Sequence, residues 1–410
     1  MDQKWFYRLY RIARLQRCYT KQPGAAALRN EMTCSRAEME LVSSTNIMFH
    51  IVTETENGFF APIYQHRDMA AYLQQMTRDY YTFVCAEPEL AASDMACVLK
   101  DLHDPDGLRR FSQMGSIWYP DSPLSEFMRS GDPSVIGLKS YPSDEAAIER
   151  LRVFIRRFAG GAINSYTQNA TVRNGQWQTA SANRTLAVEA LAKILGISYM
   201  IPHAEFRTLV IDGKHRCLGL FMERAPGRDL TRITSEERQR LLSPQLQREL
   251  NRLSLLDALT GENDHCPENY HLLVHHDRAD GIRVFDNNSM QTFNLQWDVS
   301  VETILKCAPY VNHQGLLNRP YVDAQMAERL GRISVWELFR GLRPYLSALP
   351  ILSLWIRMGR IRKAIEKSVA MGSARSVGYE EWTGQMLEKE LSLDQIKTYL
   401  HSYLSDCVHV

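Results

Sequence analysis

The chain is expected to fold as an α+β protein of two lobes, a small strand-and-helix lobe and then a mainly helical one, behind a mixed N-terminal extension. Three observations predict this. Residues 143–225 read in the order helix, strand, helix, strand, strand and end in the breaker-rich run FMERAPG. Residues 244–260 put Leu246, Leu250, Leu253 and Leu256 on one helical face, and beyond residue 320 the chain mostly keeps a helical period. Ahead of both, residues 47–64 alternate as a β-hairpin does.

In the extension, residues 1–140, the first predicted element is a basic amphipathic helix over 4–17. Trp5, Leu9, Ile12 and Ala13 share a face, with Lys4, Arg8, Arg11 and Arg14 between them. Such a helix docks on its own domain with a solvated basic face, or lies on an anionic membrane. IMFHIV and FFAPIY then flank Glu56, Asn57 and Gly58, which reads as strand, turn, strand. Residues 66–130 mix helical patches and loops without a motif. Breakers gather over 130–142 and mark a boundary.

The first lobe, 141–225, opens with a helix over 144–158 and a strand AINSYTQNATV that ends at Arg173-Asn174-Gly175. Helix 183–195 buries Leu186, Ala190, Leu191 and Ile194, and Gly196 is its natural stop. The strands FRTLVI and CLGLFME are joined by Asp212-Gly213-Lys214. Residues 221–225 are expected to be an extended hinge. The second lobe, 226–410, has the leucine-faced helix, the loop GENDHCPEN, the strand YHLLVH, a turn over 277–281 and the strand IRVFD. Helices VDAQMAERL and VWELFRGL come next, with a last one near 380–404. In 342–367 an apolar face meets a basic run. The expected packing turns Leu349, Leu352 and Trp355 inward in a helix interrupted at Pro344 and Pro350, with contact to anionic lipid as the alternative.

Composition sets limits. In 410 residues, 45% hydrophobic and 23% charged is ordinary globular usage, and a net charge of +1 gives no global reason to expect nucleic acid. The eight cysteines (Cys18, Cys34, Cys85, Cys97, Cys217, Cys266, Cys307 and Cys407) form no CxxC pair, which suits reduced thiols in a cytoplasmic protein. The Arg-dense first 20 residues lack the apolar core of a secretory leader. No run reaches the roughly 18 apolar residues of a spanning helix.

The residues with chemistry are Asp264, Asn269 five positions later, and Asp286 at the end of an apolar strand. Phosphoryl transfer asks a protein mainly for positioning and charge neutralisation. One carboxylate orients the acceptor, while an amide and a second carboxylate hold Mg²⁺, a hard ion that takes oxygen ligands and keeps waters. Each of the three is, alone, an ordinary turn or capping residue. His265, His271, His275 and His276 lack metal-site spacing and read as satisfied core or surface residues.

LLDALTGENDHCPENYHLL followed by GIRVFDN resembles the catalytic and metal loops of the atypical kinases that include HipA, actin-fragmin kinase and the phosphatidylinositol 3/4-kinases. The resemblance covers about 160–345 and implies a bilobal protein-kinase-like fold using ATP and Mg²⁺. It implies Asp264 as the catalytic aspartate and Asn269 and Asp286 as metal ligands, with Asp257 and Gly261 structural. NRTLAVEALAKILGISYMIP resembles the group's αC helix, and Met222, Glu223 and Ala225 would flank the adenine. The chain departs from the pattern in three places. The usual D-R-H is Asp264-His265-Cys266, SYTQNATV holds no lysine, and the αC glutamate position holds Arg184 or Thr185 with Glu189 a turn later. The phosphate grip therefore falls to Arg184, with Gln168 beside it.

A protein hydroxyl is the expected acceptor. The alternatives are a lipid or small-molecule hydroxyl, adenylylation on the same fold, and a non-catalytic nucleotide- or partner-binding module.

Overall fold

The computed structural model describes residues 21–42, 48–65, 123–136, 144–154, 175–229, 232–234, 237, 241, 243–262, 269–275, 278–287, 292–293, 321–371 and 375–382. The expected helices over 4–17 and 380–404, the strand AINSYTQNATV and its Gln168 lie outside them, except that Tyr379–Glu381 forms a 3-10 turn. The protein is mixed α+β. It divides into two compact units, one built from Gln22–Ala180 and Ala204–Glu223, the other containing Ser181–His203 and the chain from Arg224 on.

The first unit is organised by a six-stranded sheet. Its strands are β1 (Glu31–Cys34), β2 (Met39–Leu41), β3 (Phe49–Val52), β4 (Asn57–Pro62), β5 (Ala204–Ile211) and β6 (His215–Glu223), in the order β1-β5-β6-β4-β3-β2. Four of the six come from residues 31–62, part of the extension to which the sequence assigned no role. β1 runs parallel to β5 and all other neighbours are antiparallel. Phe49, Ile51 and Phe60 are fully buried, as alternation requires. The β3–β4 hairpin forms, but Asn57 and Gly58 belong to β4 and the turn lies earlier, over 53–56. There the Thr53 hydroxyl accepts the N–H groups of Thr55 and Glu56. Gly58 is needed within the strand, because a Cβ would sit 2.4 Å from the Met222 carbonyl oxygen. β5 and β6 turn through Asp212 and Gly213, both at positive φ, as a tight hairpin demands.

Short α1 (Ala25–Arg29) lies along β5, where the Thr208 hydroxyl donates to the Leu28 carbonyl at 3.1 Å. The same unit holds α2 (Pro123–Ser130) and α3 (Glu145–Phe154).

The second unit is mainly helical. α4 (Ala180–Leu195) ends where Gly196 enters the left-handed region at φ 78°. α5 (Pro244–Thr260) is the central helix. Leu246, Leu250, Leu253 and Leu256 are all buried, and so are the polar residues Arg248, Glu249, Asn251, Arg252, Ser254 and Asp257. A three-stranded sheet, β7 (Arg228–Asp229), β8 (Tyr270–His275) and β9 (Arg278–Val284), flanks it. β9 starts at Arg278, so the expected turn over 277–281 is shorter, and a register shift at Leu273/Val274 absorbs the extra residue. Then come β10 (Tyr321–Asp323), α6 (Ala324–Arg332), α7 (Val335–Leu342), α8 (Ala348–Ala370) and β11 (Arg375–Val377), which pairs parallel with β10.

α8 corrects two expectations. It runs unbroken for 23 residues, because Pro344 precedes it and Pro350 sits in its first turn, where no N–H is owed to the ladder. Ile351, Leu354, Met358, Ile361 and Ile365 form its buried face. Leu352 and Trp355 point outward instead of in, and Leu349 is half-buried.

An ionic network is buried beside α5. The Asp323 carboxylate accepts from Arg248 Nε at 2.7 Å and Arg252 Nε at 3.3 Å, and caps α6 by accepting the Met326 N–H at 2.8 Å. Asn251 Oδ1 accepts the Asp323 N–H at 2.9 Å. On the far side of Arg252, the Tyr199 hydroxyl donates to Glu249 at 2.6 Å. Burial, and then the carboxylate it serves, pushes the Tyr199 phenol up to about 12; burial also raises Glu249.

Asp323→Ala should leave two guanidinium groups buried without their shared carboxylate and cost about 3–5 kcal/mol. A urea midpoint unchanged from the wild type would show that the network does not hold α5 and α6 together.

Candidate functional site

The site begins where α5 ends. Ser243 starts the helix, its hydroxyl accepting the Leu246 N–H at 3.0 Å, and Pro244 occupies the first helical position. Gly261 stops it at φ 79°, with the N–H groups of Gly261 and Glu262 both given to the Asp257 carbonyl. Buried Arg357 of α8 donates to the Leu259 carbonyl at 2.9 Å, placing a cation at the negative end of the helix. Asp264 follows in the segment 263–268, outside the described residues.

The residues on both sides of that segment are anchored. Buried Glu262 accepts the Thr292 hydroxyl at 2.5 Å, and the Phe293 N–H donates to the Thr260 carbonyl at 2.5 Å. At the other end Asn269 leads into β8, and its carbonyl accepts the Phe285 N–H at 3.2 Å. Asn269 therefore sits at the open end of the β8–β9 hairpin, one rung beyond the Tyr270–Val284 pair, directly beside the Phe285–Asp286 step. The sequence signal that finds Asn269 and Asp286 is the pair of apolar strands they bound. Glu262 and Thr292 were missed: one is a polar residue after a glycine, the other belongs to no pattern.

Asp286 is exposed and has φ 61°, a left-handed conformation that aspartate and asparagine tolerate better than most side chains. Asn287 turns inward, fully buried, and its amide donates to the Val284 carbonyl at 3.3 Å. One residue faces out and the next locks the turn. The pair at the hairpin end is an amide and a carboxylate, a donor set that suits a hard, oxygen-seeking cation.

The chain entering this unit meets the same hairpin. His271 Nδ1 contacts the Ala225 carbonyl at 2.8 Å, so that nitrogen is the donor, and the His271 ring meets Phe285 edge-on at 4.9 Å. His271 is a satisfied residue, as the sequence implied, and it also ties Ala225 to the strand that begins after Asn269. Arg228 and Asp229 of β7 continue the contact by pairing with Leu272 and His271. Gly227 permits it: its φ is 118°, and a Cβ would lie 2.7 Å from the Leu272 carbonyl oxygen.

Met222 and Glu223 are the last rungs of β6, paired with Phe59 and Gly58, and Phe221 pairs with Phe60. The stretch outside the ladder thus begins at Arg224 and not at Phe221. On α4, Arg184 is 2% exposed among buried Asn183, Thr185 and Glu189. Glu189 accepts from Lys193 Nζ at 2.5 Å and is 2.9 Å from His203 Nδ1. Arg329 of α6 donates to the Ile194 carbonyl at 2.8 Å, which fixes the end of α4.

Compared with known proteins, the chain matches no protein-family model and no curated protein.

Gly227→Ala should push β7 off β8 and free the Ala225 carbonyl, at a cost of about 1–3 kcal/mol from overpacking together with the left-handed backbone. The urea midpoint reads this directly. An unshifted midpoint would mean that the chain after Ala225 is not held by the hairpin.

Proposed function

We propose that this chain is a bilobal protein-kinase-like enzyme that uses ATP and Mg²⁺ to phosphorylate a protein hydroxyl. One observation carries the reading: Asn269 and Asp286 end adjacent strands of one hairpin, joined by the bond from the Phe285 N–H to the Asn269 carbonyl. The segment between Glu262 and Asn269, two residues that are each anchored, carries Asp264. The resemblance of this run to the atypical kinases supplies the roles, and a protein hydroxyl is the acceptor expected ahead of a lipid or small-molecule one.

In this scheme Asp264 orients the acceptor hydroxyl and takes its proton. Asn269 and Asp286 would hold Mg²⁺, which when bound offsets charge on the phosphate oxygens. Arg184, with Gln168, grips phosphate in place of the lysine that SYTQNATV lacks. Met222, Glu223 and Ala225 lie against the adenine. The His271 bond to the Ala225 carbonyl, which ties Ala225 to the strand that follows Asn269, supports that assignment.

The test is label transfer from γ- and from α-labelled ATP, measured as autophosphorylation, with ATP binding assayed with and without Mg²⁺. Label should come from the γ position. Asp264→Asn should lower transfer by about 10²-fold or more, the scale of losing a general base, with ATP binding near the wild-type value. Asp286→Asn should weaken Mg²⁺-dependent binding as well, and it is a clean variant because asparagine accepts the left-handed backbone. Transfer of the α label would replace phosphorylation by adenylylation. Undiminished transfer in a folded Asp264→Asn protein would remove that residue from the chemistry.

A further inference from the structure

The outward turn of Leu352 and Trp355 leaves α8 with a face that its own fold does not use. Leu352, Trp355, Ile356, Gly359, Arg362 and Lys363 recur at helical spacing along it, and all are exposed or half-exposed. Apolar residues occupy its first half and cations its second. Leu330 and Ile333 from the end of α6 join Trp355, Ile356 and Gly359 in a groove of about 320 Å³ rimmed by Arg360, Arg362 and Lys363. Nothing lies within 4 Å of where a Gly359 Cβ would stand, so its floor is open. α7, which packs on α8, carries a second patch of the same make-up. Trp336 is 76% exposed there, with Phe339, Arg340, Arg343 and Pro344 lining the surface beside it.

The charge of this region is one-sided. From Arg332 to Lys367 there are eight Lys/Arg against two acids, Glu337 and Glu366, a local excess of six in a chain of net charge +1. Only Arg357 among the eight is buried. Both acids are already engaged, Glu337 with Arg329 at 2.5 Å and Glu366 with Arg362 at 3.6 Å. Arg340, Arg343, Lys363 and Lys367 pair with no acid among the described residues. Cations kept without acidic partners, next to exposed indole rings, match the two layers of an anionic bilayer surface: phosphate-bearing headgroups above and the acyl boundary below.

We propose that the outer faces of α7 and α8 form a docking surface for an anionic membrane, with Trp336 and Trp355 entering the headgroup–acyl boundary and Arg340, Arg343, Lys363 and Lys367 meeting lipid phosphates. No described helix is long and apolar enough to cross a membrane, and this surface attaches from one side. The inference is independent of phosphotransfer, so either reading stands if the other fails.

The test is co-sedimentation of the full chain with phosphatidylcholine vesicles, with and without about 30 mol % phosphatidylserine. Binding should be at least about tenfold stronger to the anionic vesicles and should fall steeply at about 0.5 M NaCl. Arg340→Glu with Lys363→Glu should abolish it. Trp336→Ala with Trp355→Ala should weaken it and remove most of the tryptophan quenching by brominated lipid. All four positions are exposed or half-exposed, so the variants should melt with the wild type. Equal binding to both vesicles, or none, overturns the proposal; the second result would leave the face to an acidic protein. Undiminished binding by the Arg340→Glu/Lys363→Glu protein also overturns it, and would move membrane contact elsewhere, with the basic segment 4–17 the first place to look.

Discussion

The Asp323 carboxylate is the joint on which the second unit turns. It sits at 1% exposure, accepts from two arginines on successive turns of α5, and starts α6 as its cap. A single carboxylate thereby fixes the rotation of the central helix and the origin of the next one. Burying such charges yields little net stability when they are paired and costs a great deal when one is missing. The network is therefore best understood as a device of register. It selects one rotational setting of α5, and with it the facing of the helix end at Gly261.

From that helix end outward, position is passed along by short bonds. Arg357 holds the last turn of α5, Thr292 holds Glu262, and Phe285 holds Asn269. The segment after β9 returns to the helix end, where Phe293 adopts φ 57°, a conformation a large aromatic rarely takes without surrounding restraint. Two left-handed residues, Asp286 and Phe293, thus bracket this return. Both lie close to the end of α5, where the hairpin and the chain that follows it come back to the helix.

The legible parts of the fold were those written locally. The leucines of α5, the glycine stop after α4 and the Asp212-Gly213 turn each carry their signal within a few residues. The β3–β4 hairpin was visible for the same reason. Its turn was misplaced because Asn57-Gly58 imitates a turn, while Gly58 is there for the close approach of β6. The pairing of β4 with β6, and of Glu31 in β1 with Thr208 in β5, left no local trace, since each partner lies far along the chain. α8 misled for another reason. Leu352 and Trp355 look like core residues by type, and only the packed neighbours show that the helix was already filled on its other side. Of the site, the order of Asn269 and Asp286 was readable from their strands, whereas the Glu262–Thr292 tie depends on tertiary return and was not.

The β1–β5 ladder joins a strand near the start of the chain to one synthesised much later. Among the described strands, β1 pairs with β5 alone, and β4 with β3 and β6. At about 5–20 residues per second, Glu31 leaves the ribosome on the order of ten seconds or more before Thr208 exists to receive it. Through that interval the β2–β4 meander can close by itself, but β1 and the outer edge of β4 present open hydrogen-bonding edges. β5 and β6, themselves a hairpin, complete the sheet by pairing with both of those edges. The nascent chain thus passes through a defined window in which its vulnerability is that of an unfinished sheet, and a chaperone acting on this protein during synthesis would find its substrate there.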